Sequence, residues 1–130
     1  MTDETPGTIR VVHFPTDPDE RVSVVTIENS DLGVYRALGD GQPGYVFLPD
    51  LPRAALLCDE YGKSKPIAPN PRATRFVDRH VPGFARVDVI MGPAIVVGLG
   101  DEDLVDVPED AELSALSEQA QRDQAPAWQD

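Results

Sequence analysis

The run Val87-Asp88-Val89-Ile90-Met91-Gly92-Pro93-Ala94-Ile95-Val96-Val97-Gly98-Leu99 is the most apolar part of the chain and decides how the rest is arranged. Its β-branched residues suit a pleated strand. Gly92-Pro93 interrupts it, which reads as one bent or bulged strand, or two short ones, at the centre of a sheet.

Working outward, Arg53 to Asp59 reads as a strand ending at a turn around Tyr61-Gly62-Lys63, and Gly44 to Leu48 as another, closed by Pro49. Thr8 to Phe14 forms a first strand, with Ile9, Val11 and His13 on one face and Arg10, Val12 and Phe14 on the other. Val22 to Ile27 follows across the turn Pro15 to Glu20 and makes a hairpin with it.

Helices have local signals of their own. Asn29 and Ser30 are candidate N-caps, Asp31 suits the positive helix end, and Leu32, Tyr35 and Leu38 recur at helical spacing up to Gly39. Asn70-Pro71 reads as an N-cap followed by proline at the first helical position, starting a helix through Arg79 and His80 with Phe76 and Val77 inward. Pro108 opens a last helix with Glu109, Asp110 and Glu112 in its first turn and Leu113 and Leu116 as a narrow apolar stripe; the chain frays after Asp123.

Strands and helices do not alternate strictly, so the expected fold is α+β: a mostly antiparallel sheet of about five strands with two or three short helices. Residues 1–107 form that domain, and residues 108–130 form an acidic C-terminal helix and tail.

A chain of 130 residues builds one core. No apolar run approaches the roughly 20 residues that span a bilayer, and Met1 to Pro6 has neither the basic nor the apolar region of a secretory signal. The single cysteine, Cys58, cannot close an intramolecular disulfide. These features point to a soluble cytoplasmic protein with no membrane partner.

Charge is segregated. The net charge is -12, yet Lys63, Lys65, Arg72, Arg75, Arg79 and Arg86 fall in one stretch with Asp78 as its sole acid. From Asp101 onward, ten acids stand against Arg122 alone. Such a tail repels nucleic acid, which argues against direct binding to it. The acidic excess serves as a solvated face, or presents a surface resembling a phosphate backbone to a DNA-binding partner.

No catalytic motif emerges. His13 and His80 are 67 residues apart without a metal-ligand pattern, so no metal and no cofactor are expected. Cys58 lies in the apolar run Ala54 to Cys58, where an inert thiol is expected. Gly98-Leu99-Gly100 lacks a third glycine and a following helix, and Asp101-Glu102-Asp103 would repel a phosphate.

One constellation remains as a candidate ligand site: Asp59, Glu60, Tyr61, Lys63, Asn70, Arg72, Thr74 and Arg75. The free N–H groups of the helix begun by Asn70-Pro71, together with Arg72 and Arg75, could take an anion, and Tyr61 could stack on a ring. The competing account pairs the same arginines with the acidic C-terminal segment.

Three blocks carry a family resemblance: Leu57 to Lys63, Pro69 to Thr74, and Asp88 to Gly98. Over roughly Val22 to Asp106 the chain resembles a family of small proteins of bacteriophages, conjugative elements and actinobacteria, known as a domain of unknown function. Pro71, between Asn70 and Arg72, and the long acidic C-terminus depart from its pattern. The resemblance implies a mobile-element accessory protein of the bacterial host cytoplasm and supplies no reaction. The resulting expectation is a non-enzymatic protein that binds a host protein through an acidic surface. The alternative is a protein that sequesters a nucleotide or other small anion at Lys63 to Arg75. Exposed edge strands permit a homodimer.

Overall fold

The computed structural model describes residues 7–123, with side chains as far as Gln119. Strands β1 (Thr8–Phe14) and β2 (Ser23–Glu28) form the expected hairpin, with Ile9 opposite Ile27 and Val11 opposite Val25. Helix α1 (Asp31–Ala37) follows, then β3 (Pro43–Phe47), β4 (Ala54–Asp59) and a short 3-10 turn at Gly62–Ser64. Helices α2 (Pro71–His80) and α3 (Phe84–Val87) lead to β5 (Ala94–Leu99), the two-residue β6 (Leu104–Val105) and α4 (Glu109–Asp123).

All pairings are antiparallel, in the order β2-β1-β5-β4-β3, with β6 against the end of β5. The fold is α+β, and the apolar segment that includes β5 is central. Both faces of the middle strands are covered, which is why β4 and β5 are apolar without alternation. On one face Val12, Phe14, Leu56 and Val96 pack with Phe76 and Val77 of α2 and Ala111 and Ala115 of α4. On the other, Ile9, Val11, Leu57, Ile95 and Val97 pack with Val34 and Leu38 of α1. The acidic C-terminal helix is thus a layer of the domain, sharing one core with the strands; the fraying expected after Asp123 lies outside the described residues.

Three expectations need correction. Residues 88–91 are not a strand: Ile90 donates to Thr74 Oγ1 (3.0 Å) and its carbonyl accepts from Asn70 N (2.8 Å), so the start of α2 takes the groups that a sheet would need. Gly92, at φ +80°, then turns the chain into β5. In α1 the face against the sheet carries Gly33 and Val34, and Leu32 is half-exposed. A Cβ on Gly33 would lie 2.0 Å from the Glu28 carbonyl oxygen, so that side of the helix is pressed against β2 and Leu32 turns outward. In α4 it is Ala111 and Ala115, with Glu118, that face inward, while Leu113 is exposed and Leu116 only half-buried. Small side chains allow the helix to sit close to the sheet.

Candidate functional site

The eight residues of the Lys63 to Arg75 constellation do not converge on one cleft. Asn70 is fully buried: its Oδ1 accepts from Ala73 N (3.1 Å), and its Nδ2 donates to the carbonyls of Phe14 (2.9 Å) and Gly92 (3.0 Å). The cap read from the sequence therefore forms, but it closes the helix end that was to receive an anion. Thr74 Oγ1 donates to Asn70 O (2.8 Å) and accepts from Ile90 N.

Arg72 points inward. Its Nη1 donates to Glu20 O (2.7 Å) and Gln119 Oε1 (3.0 Å), and its Nη2 to Pro15 O (2.9 Å) and Asp17 O (2.8 Å). Arg75, one turn on, turns the other way toward α4, with Nε 3.4 Å from Glu118 Oε1. Arg79 Nη2 lies 2.6 Å from Glu118 Oε2, a charge contact outside hydrogen-bond alignment. The arginines are thus committed within the fold, two of them to an acid of the C-terminal segment.

Around the turn, the buried Asp59 carboxylate accepts from Tyr61 N (2.9 Å) and pairs with Lys65. Lys63 pairs with Asp88, and that hydrogen bond holds the Asp88 carboxyl below its ordinary value. Glu60 and Tyr61 remain exposed.

Two other reactive groups are accounted for. Burial, and then the neighbouring Asp59 charge, push the Cys58 thiol above its ordinary value, which disfavours the thiolate. His80 bridges Asp50 (Nδ1 to Oδ2, 2.8 Å) and Ser114 (Nε2 to Oγ, 2.6 Å), in the order of an acid, imidazole and hydroxyl relay. Ser114 stands inside α4, where the surrounding N–H groups are spent on the helix and cannot stabilise an oxyanion. The bridge ties α2, α4 and the β3–β4 loop together.

His13, half-buried on β1, has its pKa lowered by burial and secondarily by Arg72, against an opposing pull from Glu20. The unfolded chain therefore takes up the proton more readily. Stability falls as pH drops through the ordinary value of 6.5 toward the depressed folded value, and below that this group contributes no further slope. His13→Gln removes this part of the loss, which urea titrations at pH 7.5 and pH 5.5 measure.

A concavity lies elsewhere, on the α1 face. A cleft of about 690 Å³ opens between the start of α1, the start of β3 and the β5–β6 turn. Asp31, Glu102 and Asp103 supply its acids, and Leu32, Tyr35 and Tyr45 its apolar and aromatic surface; among the described residues no lysine or arginine lines it. Ser30 Oγ caps α1 by accepting from Gly33 N (3.0 Å). Asn29 Nδ2 donates to Leu104 O (3.1 Å), and Gly100 N donates to Asp103 O (2.9 Å), which fixes the acidic turn against the helix.

Sequence reading missed this cleft. Its one signal was the alternation Tyr45-Val46-Phe47, which puts two aromatic rings on one face of a strand.

No curated protein matches the chain by sequence. Among solved structures it is similar to one titled "Crystal structure of small RNA methyltransferase HEN1", at 19% identity and a TM-score of 0.54. The match covers 88% of this chain and only 16% of the other, so the likeness is one of fold. The family model described as "Domain of unknown function (DUF3846)" matches residues 9–121, which include the sheet, α1, α2 and the greater part of α4, and the chain belongs to that family.

Proposed function

We propose that the protein is a non-enzymatic binding module that takes cationic side chains of a partner protein into the cleft between α1, β3 and the β5–β6 turn. The observation that carries this reading is the cleft's lining: three carboxylates and two tyrosines without a basic residue among them. Cationic groups gain from both the carboxylates and the aromatic faces. The chain's net charge of -12 adds long-range attraction for a basic partner. The resemblance to phage and mobile-element proteins makes a host protein the first candidate.

The anion-sequestering alternative has less support, because Lys63, Lys65, Arg72, Arg75 and Arg79 all have partners within the fold.

The test is titration of the labelled protein with short lysine- and arginine-rich peptides and with acidic controls, followed by NMR. Basic peptides shift the resonances of Asp31, Tyr35, Tyr45 and Glu102, and the affinity falls as salt rises. The double change Glu102→Lys with Asp103→Lys weakens binding by about tenfold or more. Equal response to acidic and basic peptides, or none at the cleft, rules the proposal out.

A further inference from the structure

The β3 strand ends the sheet on one side, with β4 as its neighbour and no described strand beyond it. Its register shows which backbone groups are unspent. Glu60 N donates to Gln42 O (2.8 Å), so these two residues form a hydrogen-bonded pair. Such pairs alternate along an antiparallel ladder. Gly44 with Cys58 and Val46 with Leu56 are then hydrogen-bonded pairs, while Tyr45 with Leu57 and Phe47 with Ala55 are not. The N–H and C=O groups of Tyr45 and Phe47 therefore face the open edge.

The side chains of the same two residues stand on the α1 face. Their rings stack at 5.9 Å with 23° between planes, yet remain 46% and 64% exposed. Exposed sheet edges are commonly blunted by charge, a bulge or a covering element. Apart from Pro43 at its start, β3 shows none of these among the described residues: its sequence Pro43-Gly44-Tyr45-Val46-Phe47 has no charge, and its pairing with β4 is continuous. The opposite edge, β2, ends in the exposed Glu28 and presents no aromatic residue.

We infer that the partner is held by strand addition: an extended, basic segment of another protein pairs with the open edge of β3 and directs lysine or arginine side chains toward the acidic cleft. This deepens the proposed function and rests on it. A residue placed opposite Tyr45 exchanges both backbone hydrogen bonds with it and puts its side chain on the same face. Tyr45 itself lines the cleft with Asp31, Glu102 and Asp103, so that position selects a cation. Residues of the added strand that alternate with it lie beside Gly44 and Val46 on the other face, where Val46 packs against the core, and these are apolar. The recognised pattern is an alternation of basic and β-branched residues about as long as β3. A second copy of this chain suits the edge poorly, since it would bring two molecules of charge -12 together at their acidic clefts.

The probe is the pentapeptide acetyl-Val-Lys-Val-Arg-Val-amide, applied to the full chain. Binding should slow hydrogen exchange of the Tyr45 and Phe47 amides by about tenfold or more at saturation. N-methylation of the Lys and Arg amides, which would face β3, should weaken binding by about tenfold or more, while N-methylation of the central Val amide should leave it nearly unchanged. Phe47→Pro deletes an outward N–H that β4 does not use, so it should retain the fold, checked by circular dichroism, and lose the peptide.

If Glu102→Lys with Asp103→Lys weakens the peptide but neither N-methylation nor exchange at Tyr45 and Phe47 responds, strand addition is overturned and the cleft reading survives. If no basic peptide binds at all, both fall. A dimer in light scattering that Phe47→Pro dissolves would overturn the basic partner in favour of a second copy.

Discussion

Arg72→Met lowers stability by roughly 3 kcal/mol, with a fall in melting temperature of about 10 °C. Arg72 is 5% exposed, and its guanidinium donates to three backbone carbonyls of the β1–β2 loop as well as to Gln119. Methionine replaces the stem but none of the donors, leaving Pro15, Asp17 and Glu20 carbonyls without their charged partner. The sum of four charge-assisted bonds would exceed this figure. Part of it returns because the Asp17 and Glu20 bonds are only part-buried and water can reach their carbonyls. Arg72→Lys recovers less than half, since one ammonium cannot reproduce a fork that reaches four oxygens.

Gln119 Oε1 also accepts from Val22 N (3.0 Å), so α4, α2 and the start of β2 meet at one network. Arg72→Met and Gln119→Ala are therefore non-additive in a double-mutant cycle. Urea unfolding followed by circular dichroism measures all four species. Had Arg72 been a ligand-binding residue, the same substitution would spare stability and abolish ligand binding, so a loss under about 0.5 kcal/mol contradicts the structural role assigned here.

Asn70→Ala has a comparable effect, a loss of about 3 kcal/mol or more. It removes the α2 cap, worth about 1 kcal/mol, and leaves the buried carbonyls of Phe14 and Gly92 without their donor at about 1–3 kcal/mol each. Asn70→Asp separates the two roles. It keeps the oxygen that caps Ala73 and replaces the amide donor with a second oxygen facing two carbonyls. In the folded state this carboxyl is easier to protonate than in the unfolded chain, so the variant gains stability relative to wild type as pH falls toward 4. An Asn70→Asp protein as stable as wild type at pH 7 would show that Asn70 acts only as a cap.

The contrast between Asn70 and Arg72 shows how far the sequence could be read. That Asn70-Pro71 starts a helix follows from neighbours in the chain: the side-chain oxygen reaches N–H groups within three residues, and proline fixes the first turn. The strands were legible for a similar reason, since alternation and β-branching act over a few residues. The pairing of Arg72 and Arg75 with the acidic C-terminal segment was one of two accounts open from charge alone; the packing of α4 on α2 gives Arg75 that partner in Glu118, whereas Arg72 donates to backbone carbonyls and to Gln119.

What local signals could not give was direction. Asn70, Arg72 and Thr74, at the start of a helix, were part of a candidate ligand site, whereas the interior supplies acceptors for Asn70 and Arg72 from residues as distant as Phe14 and Gln119. Leu32 was read as part of the inward stripe of α1, but the close approach of Gly33 to β2 rotates it into the cleft wall.

The sequence by itself determined the α+β class, the antiparallel hairpin, the central apolar segment and the helix caps, because each depends on groups only a few residues apart. The tertiary structure alone decided which polar residues are spent inside the fold and which line the open cleft. Burial and the acidic cleft arise only when α1, β3 and the β5–β6 turn, from Asp31 to Asp103, are brought together by the sheet.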